Sequence, residues 1–296
     1  MTHEQGTKVG LLCALSAFAL WGLFPIYFKA VASVNATEVL AHRIIWSVVV
    51  LALVLSWRRA WGALFRLKRP ALRTLFFSSL FVSSNWLIFI WAVANDRVLE
   101  TSLGYYINPL LSVVMGMVFL RERLRKAQVI AFFLALLGVI NQVIWVGYLP
   151  WVALALAITF GSYGLLRKQL DIGPMQGLFM ETLLMLPLAL GYCLWLWHHE
   201  QLAFGAVDTG MNLLLMAAGI VTIVPLLLFA AGARRLPLTT VGITQYTTPS
   251  MTFFLAIFLY DEAFSMEQLL TFVLIWTGLV IFTVDGLRQH RKPTQP

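Results

Sequence analysis

Long apolar stretches alternate along the chain with short polar connections, and this pattern predicts a series of membrane-spanning helices. An α-helix rises 1.5 Å per residue, so about 20 apolar residues cross a hydrocarbon core about 30 Å thick. Ten segments have this character. They are 9–31, 36–56, 74–94, 101–120, 127–145, 148–166, 176–197, 211–231, 238–260 and 267–285. The predicted fold class is therefore an all-α membrane protein with ten transmembrane helices.

The composition supports the membrane assignment. Of the 296 residues, 60% are hydrophobic and only 11% are charged, whereas soluble domains carry about 25% charged residues. So few charges cannot form a water-exposed surface, so lipid must cover most of the protein. Cys13 and Cys193 lie in apolar segments and are typical of small buried residues. We expect neither a metal site nor a cofactor.

The basic residues, which give the chain a net charge of +8, lie mostly in alternate connections. If both termini are cytoplasmic, 18 of the 21 lysines and arginines lie on the cytoplasmic side. The positive-inside rule then predicts a multi-pass protein of a bacterial inner membrane with this orientation. It also argues against nucleic acid as a partner, and the lipid bilayer is the expected one. The sequence leaves open whether the chain forms a homodimer.

The second half repeats polar and helix-breaking residues of the first half at a spacing of 140 residues. The matched pairs include Tyr106 and Tyr246, Pro109 and Pro249, Glu122 and Glu262, Gln128 and Gln268, and Gly138 and Gly278. Each half holds five predicted spans, so the second half enters the membrane in the opposite orientation. We predict inverted five-helix repeats at 9–145 and 148–285, followed by a cytoplasmic tail at 286–296. Such a pair of halves favours alternating access.

Several short stretches carry a resemblance to a known family. They are AHRIIWS at 41–47, NWLIFIWAV at 85–93, SLGYYINPL at 102–110, GIVT at 219–222, VPL at 224–226 and QY at 245–246. With the ten spans and the repeat, they resemble the EamA-type permeases of the drug/metabolite transporter superfamily, and among these the RarD-like permeases. The resemblance implies an inner-membrane permease with a central cavity and an association with chloramphenicol sensitivity. It does not choose a substrate.

The second predicted span contains three ionisable residues, Glu38, His42 and Arg43. Each such residue costs at least ~2.5–3.5 kcal/mol at the bilayer centre on insertion scales and therefore needs a reason. Arg43 can hold a carboxylate or phosphate of a substrate through its planar guanidinium. Glu38 and His42, four residues apart on one helix face, can relay a proton. The alternative is a structural ion pair between Arg43 and Glu38.

Glu181 is a further carboxylate inside a predicted span, the seventh. At a spacing of 138 residues it corresponds to Arg43, so inverted symmetry would place the two on opposite sides of the cavity. A carboxylate there can take up and release a proton once per transport cycle. The alternative is a capping or loop contact near the membrane surface.

Polar and aromatic residues cluster in the third, fourth and ninth spans, where two prolines occupy corresponding positions. A proline removes a backbone hydrogen bond, and irregular backbone at membrane depth is tolerated where it lines a cavity. The candidate cavity residues are Asn85, Trp86, Tyr105, Tyr106, Asn108, Pro109, Gln245, Tyr246 and Pro249. Ordinary helix packing is the alternative explanation.

These features predict a secondary carrier that exports a small metabolite or drug-like solute by alternating access, with a proton gradient as the candidate energy source. The chain has no Gly-rich phosphate-binding loop and no nucleophile elbow or zinc-binding helix. We therefore expect no enzymatic activity and no use of ATP. A non-transporting membrane scaffold or sensor is the alternative function.

Overall fold

The described part of the chain is α-helical and contains no β-strand, as the sequence predicts. The computed structural model describes residues 3–65, 67–94, 98–147, 151–259 and 266–290. In chain order the helices are α1 (His3–Gly22), α2 (Phe24–Ala30), α3 (Ala36–Trp57), α4 (Gly62–Phe65), α5 (Arg69–Ala94), α6 (Val98–Leu120), α7 (Lys126–Val146), α8 (Trp151–Gln169), α9 (Pro174–His198), α10 (Thr209–Arg235), α11 (Leu238–Thr244), α12 (Thr247–Phe258) and α13 (Met266–His290).

Six helical segments within these residues are long and apolar enough to cross a membrane. They are Gln5–Ala30, Ala36–Trp57, Arg69–Phe89, Lys126–Trp145, Pro174–His198 and Thr209–Arg235. Two shorter apolar helices, Gly104–Leu120 and Leu269–Asp285, accompany them. The chain is therefore a multi-pass membrane protein. The full number of ten spans stays a prediction.

Two of the predicted spans are interrupted near a proline. In the first, α1 ends at Gly22 and α2 begins at Phe24, so that Pro25 lies in the first turn of α2. Proline lacks an N–H and is tolerated in that turn, where the N–H would have no helical partner. The short α2 thus follows α1 after a single intervening residue.

The ninth predicted span is interrupted at Gln245 and Tyr246, between α11 and α12. Pro249 cannot donate to the carbonyl of Gln245, four residues earlier. The N–H of Thr248 takes that role, with its nitrogen 3.0 Å from the Gln245 oxygen. In contrast, α6 runs without interruption through Pro109. The last helix also differs from the prediction, because α13 continues to His290, beyond the expected end at 285.

Each long helix packs against partners that are distant in the sequence. Helix α1 packs on α10 and α12, α3 on α9 and α10, α5 on α8 and α9, α6 on α8 and α11, and α7 on α13. The largest cluster of buried apolar side chains includes Leu51 and Leu55 of α3 and Phe229 of α10. Because α3 is held between α9 and α10, its polar residues face protein on two sides.

Candidate functional site

Arg43 lies in the first half of α3, and it is only 8% exposed. Its guanidinium carbon lies 4.9 Å from the ring centre of Trp86, 5.6 Å from that of Phe28 and 5.7 Å from that of Phe24. Aromatic rings at these distances attract a cation through their quadrupole. We call Arg43, Phe24, Phe28, Trp86 and Thr222 the Arg43 cage.

Thr222 of α10 supplies a polar contact to the guanidinium. The Arg43 Nε donates a hydrogen bond to the Thr222 Oγ1 at 2.8 Å, and that hydroxyl donates to the carbonyl of Ala218 at 2.8 Å. Among the residues that the structure describes, no Asp or Glu forms an ion pair with Arg43. A buried cation without a carboxylate is costly. Arg43 therefore has no counter-charge among the described residues.

Four elements besides α3 build the surroundings of Arg43. Phe24 and Phe28 are four residues apart on α2, so they share one face of that short helix. Trp86 comes from α5 and Thr222 from α10, while Tyr27 of α2 and Tyr105 of α6 lie within electrostatic range of the guanidinium. Tyr105 is 44% exposed. The cage is thus bounded by partly exposed aromatic side chains around a buried charge.

Glu38 contacts a loop, and the structure gives it no contact with Arg43. Its carboxylate accepts hydrogen bonds from the backbone N–H of Ala203, at 2.9 and 3.1 Å, and from that of Phe204 at 2.9 Å. The structural alternative for Arg43, an ion pair with Glu38, is therefore absent from the described residues. Glu38 instead fixes the connection between α9 and α10 against the start of α3.

His42 lies beside Glu38, as their spacing predicts. Its Nε2 is 3.7 Å from the Glu38 Oε1, and its ring lies 4.7 Å from the ring of Phe204. Both ring nitrogens are buried without a hydrogen-bond partner among the described residues. The structure thus confirms that the two side chains are neighbours, while the proton relay between them stays a prediction.

Glu181 belongs to a second buried cluster, which we call the Arg167–Glu181 pair. Arg167 of α8 and Glu181 of α9 are each 1% exposed, and the Arg167 Nη1 lies 3.5 Å from the Glu181 Oε1. Ser78 of α5 donates a hydrogen bond to the same oxygen at 2.5 Å. A Cβ on Gly177 would overlap the Arg167 guanidinium, so glycine leaves the space that this side chain fills. The pair joins three helices.

The remaining candidates on α5 and α6 make mainly helix-to-helix contacts. The Asn85 Nδ2 donates to the carbonyl of Leu156 at 2.9 Å and to the Thr159 Oγ1 at 3.0 Å. Tyr106 is buried against Phe272, with ring centres 5.7 Å apart. Asn108 is buried, and its Oδ1 has no hydrogen-bond partner in the described part of the chain.

The broken helix α11–α12 packs its polar residues onto α6. The Gln245 Nε2 donates to the Ser112 Oγ at 2.9 Å, and the Tyr246 hydroxyl donates to the carbonyl of Tyr106 at 3.2 Å. Pro109 and Pro249 are both buried. These contacts tie the two proline-bearing segments together.

The structure therefore brings Arg43 and Trp86 together, whereas it places Glu38 and Glu181 in other contacts. The sequence reasoning missed Thr222, Phe24 and Phe28 as neighbours of Arg43. The sequence did contain a signal for such neighbours, namely an arginine inside a predicted span, because a buried arginine is stabilised by acceptors and aromatic rings from other helices. Nothing in the sequence identified which helices would supply them.

The comparisons with known proteins agree with this architecture. The pattern of the family described as "EamA-like transporter family" matches residues 8–142 and again residues 149–284. An "Uncharacterized transporter" of Vibrio cholerae serotype O1 is 47% identical, over 96% of this chain and 95% of that protein. The "Protein RarD" of Salmonella typhimurium is 43% identical, over 97% of this chain and 98% of that protein.

A solved structure titled "Crystal structure of protein" shares the fold. Its TM-score is 0.72 at 20% identity, and the match covers 93% of this chain and 97% of that one. At this identity the likeness concerns the fold alone.

Proposed function

The chain belongs to the EamA-like transporter family, and on that basis we propose that it is a secondary carrier that exports a small solute by alternating access. The Arg43 cage forms part of its solute site. The observation that carries this proposal is a buried guanidinium that no carboxylate of the described residues neutralises. Membrane-embedded charges of this kind mark substrate or ion pathways.

Reciprocal glycine contacts between α7 and α13 support an inverted repeat of five plus five spans. A Cβ on Gly138 would lie 3.0 Å from the carbonyl oxygen of Thr271, and a Cβ on Gly278 would lie 2.8 Å from that of Ala131. These two contacts exchange when each residue is replaced by its counterpart 140 positions away. A pseudo-two-fold axis between the halves would produce this relation.

The helix neighbours support the same symmetry. Under the proposed repeat, α1 corresponds to α8, α3 to α9, α5 to α10, α6 to α11–α12 and α7 to α13. Helix α1 packs on α10 as α8 packs on α5, and α3 packs on α10 as α9 packs on α5. Two halves related in this way can exchange conformations, which would open the site to each side of the membrane in turn.

Orientation and energy source complete the proposal. We place both termini in the cytoplasm of a bacterial cell, because 18 of 21 basic residues then lie on that side. Proton coupling is proposed for the pair of Glu38 and His42, whose side chains are buried next to each other. Protonation of His42 would strengthen its attraction to Glu38 and weaken the hold of Glu38 on the loop at Ala203.

A membrane scaffold or sensor is the competing function. A measurement of solute flux distinguishes it from a carrier. The purified protein is reconstituted in liposomes, and the transport of amino acids, organic acids, sugars and chloramphenicol is measured with and without a pH gradient. The carrier proposal expects saturable flux of at least one solute, reduced at least tenfold by Arg43→Gln. Arg235→Gln, which alters an exposed arginine at the end of α10, is the matched control. Absence of flux for every solute would favour the scaffold.

A further inference from the structure

We infer that the Arg43 cage binds the single carboxylate of a small organic monoanion, with the apolar body of that solute lying against the aromatic rings. This inference rests on the proposed carrier function and names the substrate class of its site. Three properties of the cage lead to it: its charge, the free edge of its guanidinium and the absence of an acidic group among its described neighbours.

The single positive charge of the cage is matched by a solute with a single negative charge. Arg43 is the cation, and its described neighbours Phe24, Phe28, Trp86 and Thr222 are neutral. A monoanion would neutralise the buried site completely. A phosphate monoester carries close to two negative charges at neutral pH, so its binding would leave a net charge among aromatic rings, where desolvation is costly.

The geometry of the guanidinium favours a planar carboxylate. Its Nε donates to the Thr222 hydroxyl at 2.8 Å, while no hydrogen bond to a described residue occupies the two terminal nitrogens. Those nitrogens form a planar fork that matches the two oxygens of a carboxylate. The ring of Trp86 lies at 4.9 Å from the guanidinium carbon. An apolar or aromatic body attached to the carboxylate would therefore meet the partly exposed rings of the cage.

Among the described residues, the cage offers no carboxylate to an ammonium group, which separates simple organic acids from amino acids. Glu38 is bound to the backbone at Ala203 and Phe204, and Glu181 is bound to Arg167 and Ser78. The ammonium of a zwitterionic amino acid would lie close to the Arg43 guanidinium without a compensating carboxylate from the described residues. We therefore expect the cage to bind monocarboxylates without a second charged group more tightly than it binds amino acids.

Thermal unfolding of the purified full chain in detergent tests this expected order of ligand affinities with one set of probes. The probes are benzoate, benzamide, phenyl phosphate, phenylalanine and sodium chloride at matched ionic strength. A ligand stabilises the state it binds by RT ln(1 + [L]/Kd), so the shift in Tm should grow with concentration. We expect benzoate to give the largest shift, with apparent affinity at least tenfold above that of the other probes.

Variants connect the shift to the cage. Arg43→Gln should abolish the benzoate shift, and Arg43→Lys should weaken it at least tenfold because a lysine lacks the planar fork. Thr222→Val keeps the charge and should retain a weakened shift, which provides a readout if Arg43→Gln does not fold. Arg235→Gln should behave as the wild type.

Three results would overturn the inference. The first is a Tm shift with benzamide, phenyl phosphate or phenylalanine that equals or exceeds the shift with benzoate. The second is a benzoate shift that is undiminished in Arg43→Lys and Arg43→Gln. The third is the absence of a benzoate shift in the wild-type protein. Flux of another solute class that requires Arg43 would likewise overturn the monocarboxylate assignment while leaving the carrier intact. Arg43-dependent binding of benzoate without any flux would support the site and contradict the carrier.

Discussion

Arg43 and Arg167 are both buried arginines on helices, but their surroundings differ. The Arg167 guanidinium lies 3.5 Å from the carboxylate of Glu181, and a second nitrogen donates to the carbonyl of Pro174 at 3.2 Å. Arg43 has Thr222 and three aromatic rings around it, and the described residues give it no carboxylate. Within the described residues, the charge of Arg167 is neutralised by a carboxylate and the charge of Arg43 is not.

On the basis of this difference we propose a structural role for Arg167 and a binding role for Arg43. A buried ion pair already has its opposite charge, so an incoming solute would have to displace one partner at considerable cost. An unpaired cation gains stability when a solute supplies the missing charge. Burial alone therefore does not point to a solute site, and it is burial without a counter-charge that leads us to propose one at Arg43. The candidates Arg43 and Glu181 belong to different sides of this distinction.

The largest effect is expected when the Arg167–Glu181 pair loses its negative charge. Glu181→Gln leaves Arg167 charged and buried, and breaking such a pair costs about 3–5 kcal/mol of unfolding free energy. Thermal unfolding in detergent should show a fall in Tm of several degrees or loss of folded protein. The double variant Arg167→Met with Glu181→Leu should recover most of this loss. A single variant as stable as the wild type would show that the pair does not hold these helices together.

An intermediate effect is expected when Arg43 loses its acceptor. Thr222→Val removes the oxygen that accepts from the Arg43 Nε while keeping the shape of the side chain. Hydrogen bonds to charged groups contribute about 1.5–3 kcal/mol, so the same unfolding assay should show a moderate fall in Tm. Thr283→Val, at an exposed threonine of α13, is the control. A Tm equal to that of the control would mean that Thr222 does not support the guanidinium.

The smallest effect on stability is expected when the unpaired cation itself is removed. Arg43→Met keeps much of the side-chain length and eliminates a buried charge without leaving a carboxylate unpaired. The unfolding free energy should change by no more than about 1 kcal/mol, or rise, because an apolar residue avoids the desolvation cost. The benzoate shift should nevertheless be lost. Destabilisation as large as that of Glu181→Gln would indicate a hidden structural role for Arg43.

Much of the fold followed from the long apolar stretches of the chain, since a helix that crosses a membrane needs about 20 apolar residues. The all-helical class and several helix bounds near 36–57, 126–146 and 174–198 agree with the structure. The interruption at Leu23 was not predicted, because a proline in a helix can produce either a kink or an ordinary first turn. At Pro109 the helix continues, whereas near Pro249 it breaks, and neighbouring helices decide between these outcomes.

The candidate site was predicted only in part, because ion pairing depends on contacts between distant helices. The spacing of Glu38 and Arg43 on one helix made a pair between them reasonable, but the loop backbone at Ala203 takes the carboxylate. Arg167 was counted as a cytoplasmic basic residue, although it lies buried against Glu181. Sequence identified the ionisable residues at membrane depth, and only the packing assigned their partners.

Accessibility of the two clusters tests the central claim that the Arg43 cage is the solute site of a carrier. In a chain with Cys13→Ala and Cys193→Ala, one variant carries Phe28→Cys in the cage and another carries Ser79→Cys, beside Glu181. Sealed vesicles of either orientation are treated with a membrane-impermeant thiol reagent, with and without benzoate.

We predict that the cysteine at position 28 reacts from both sides of the membrane and is protected by benzoate, while the cysteine at position 79 stays unreacted. Labelling of position 28 from one side only, or labelling that benzoate does not change, would contradict the account.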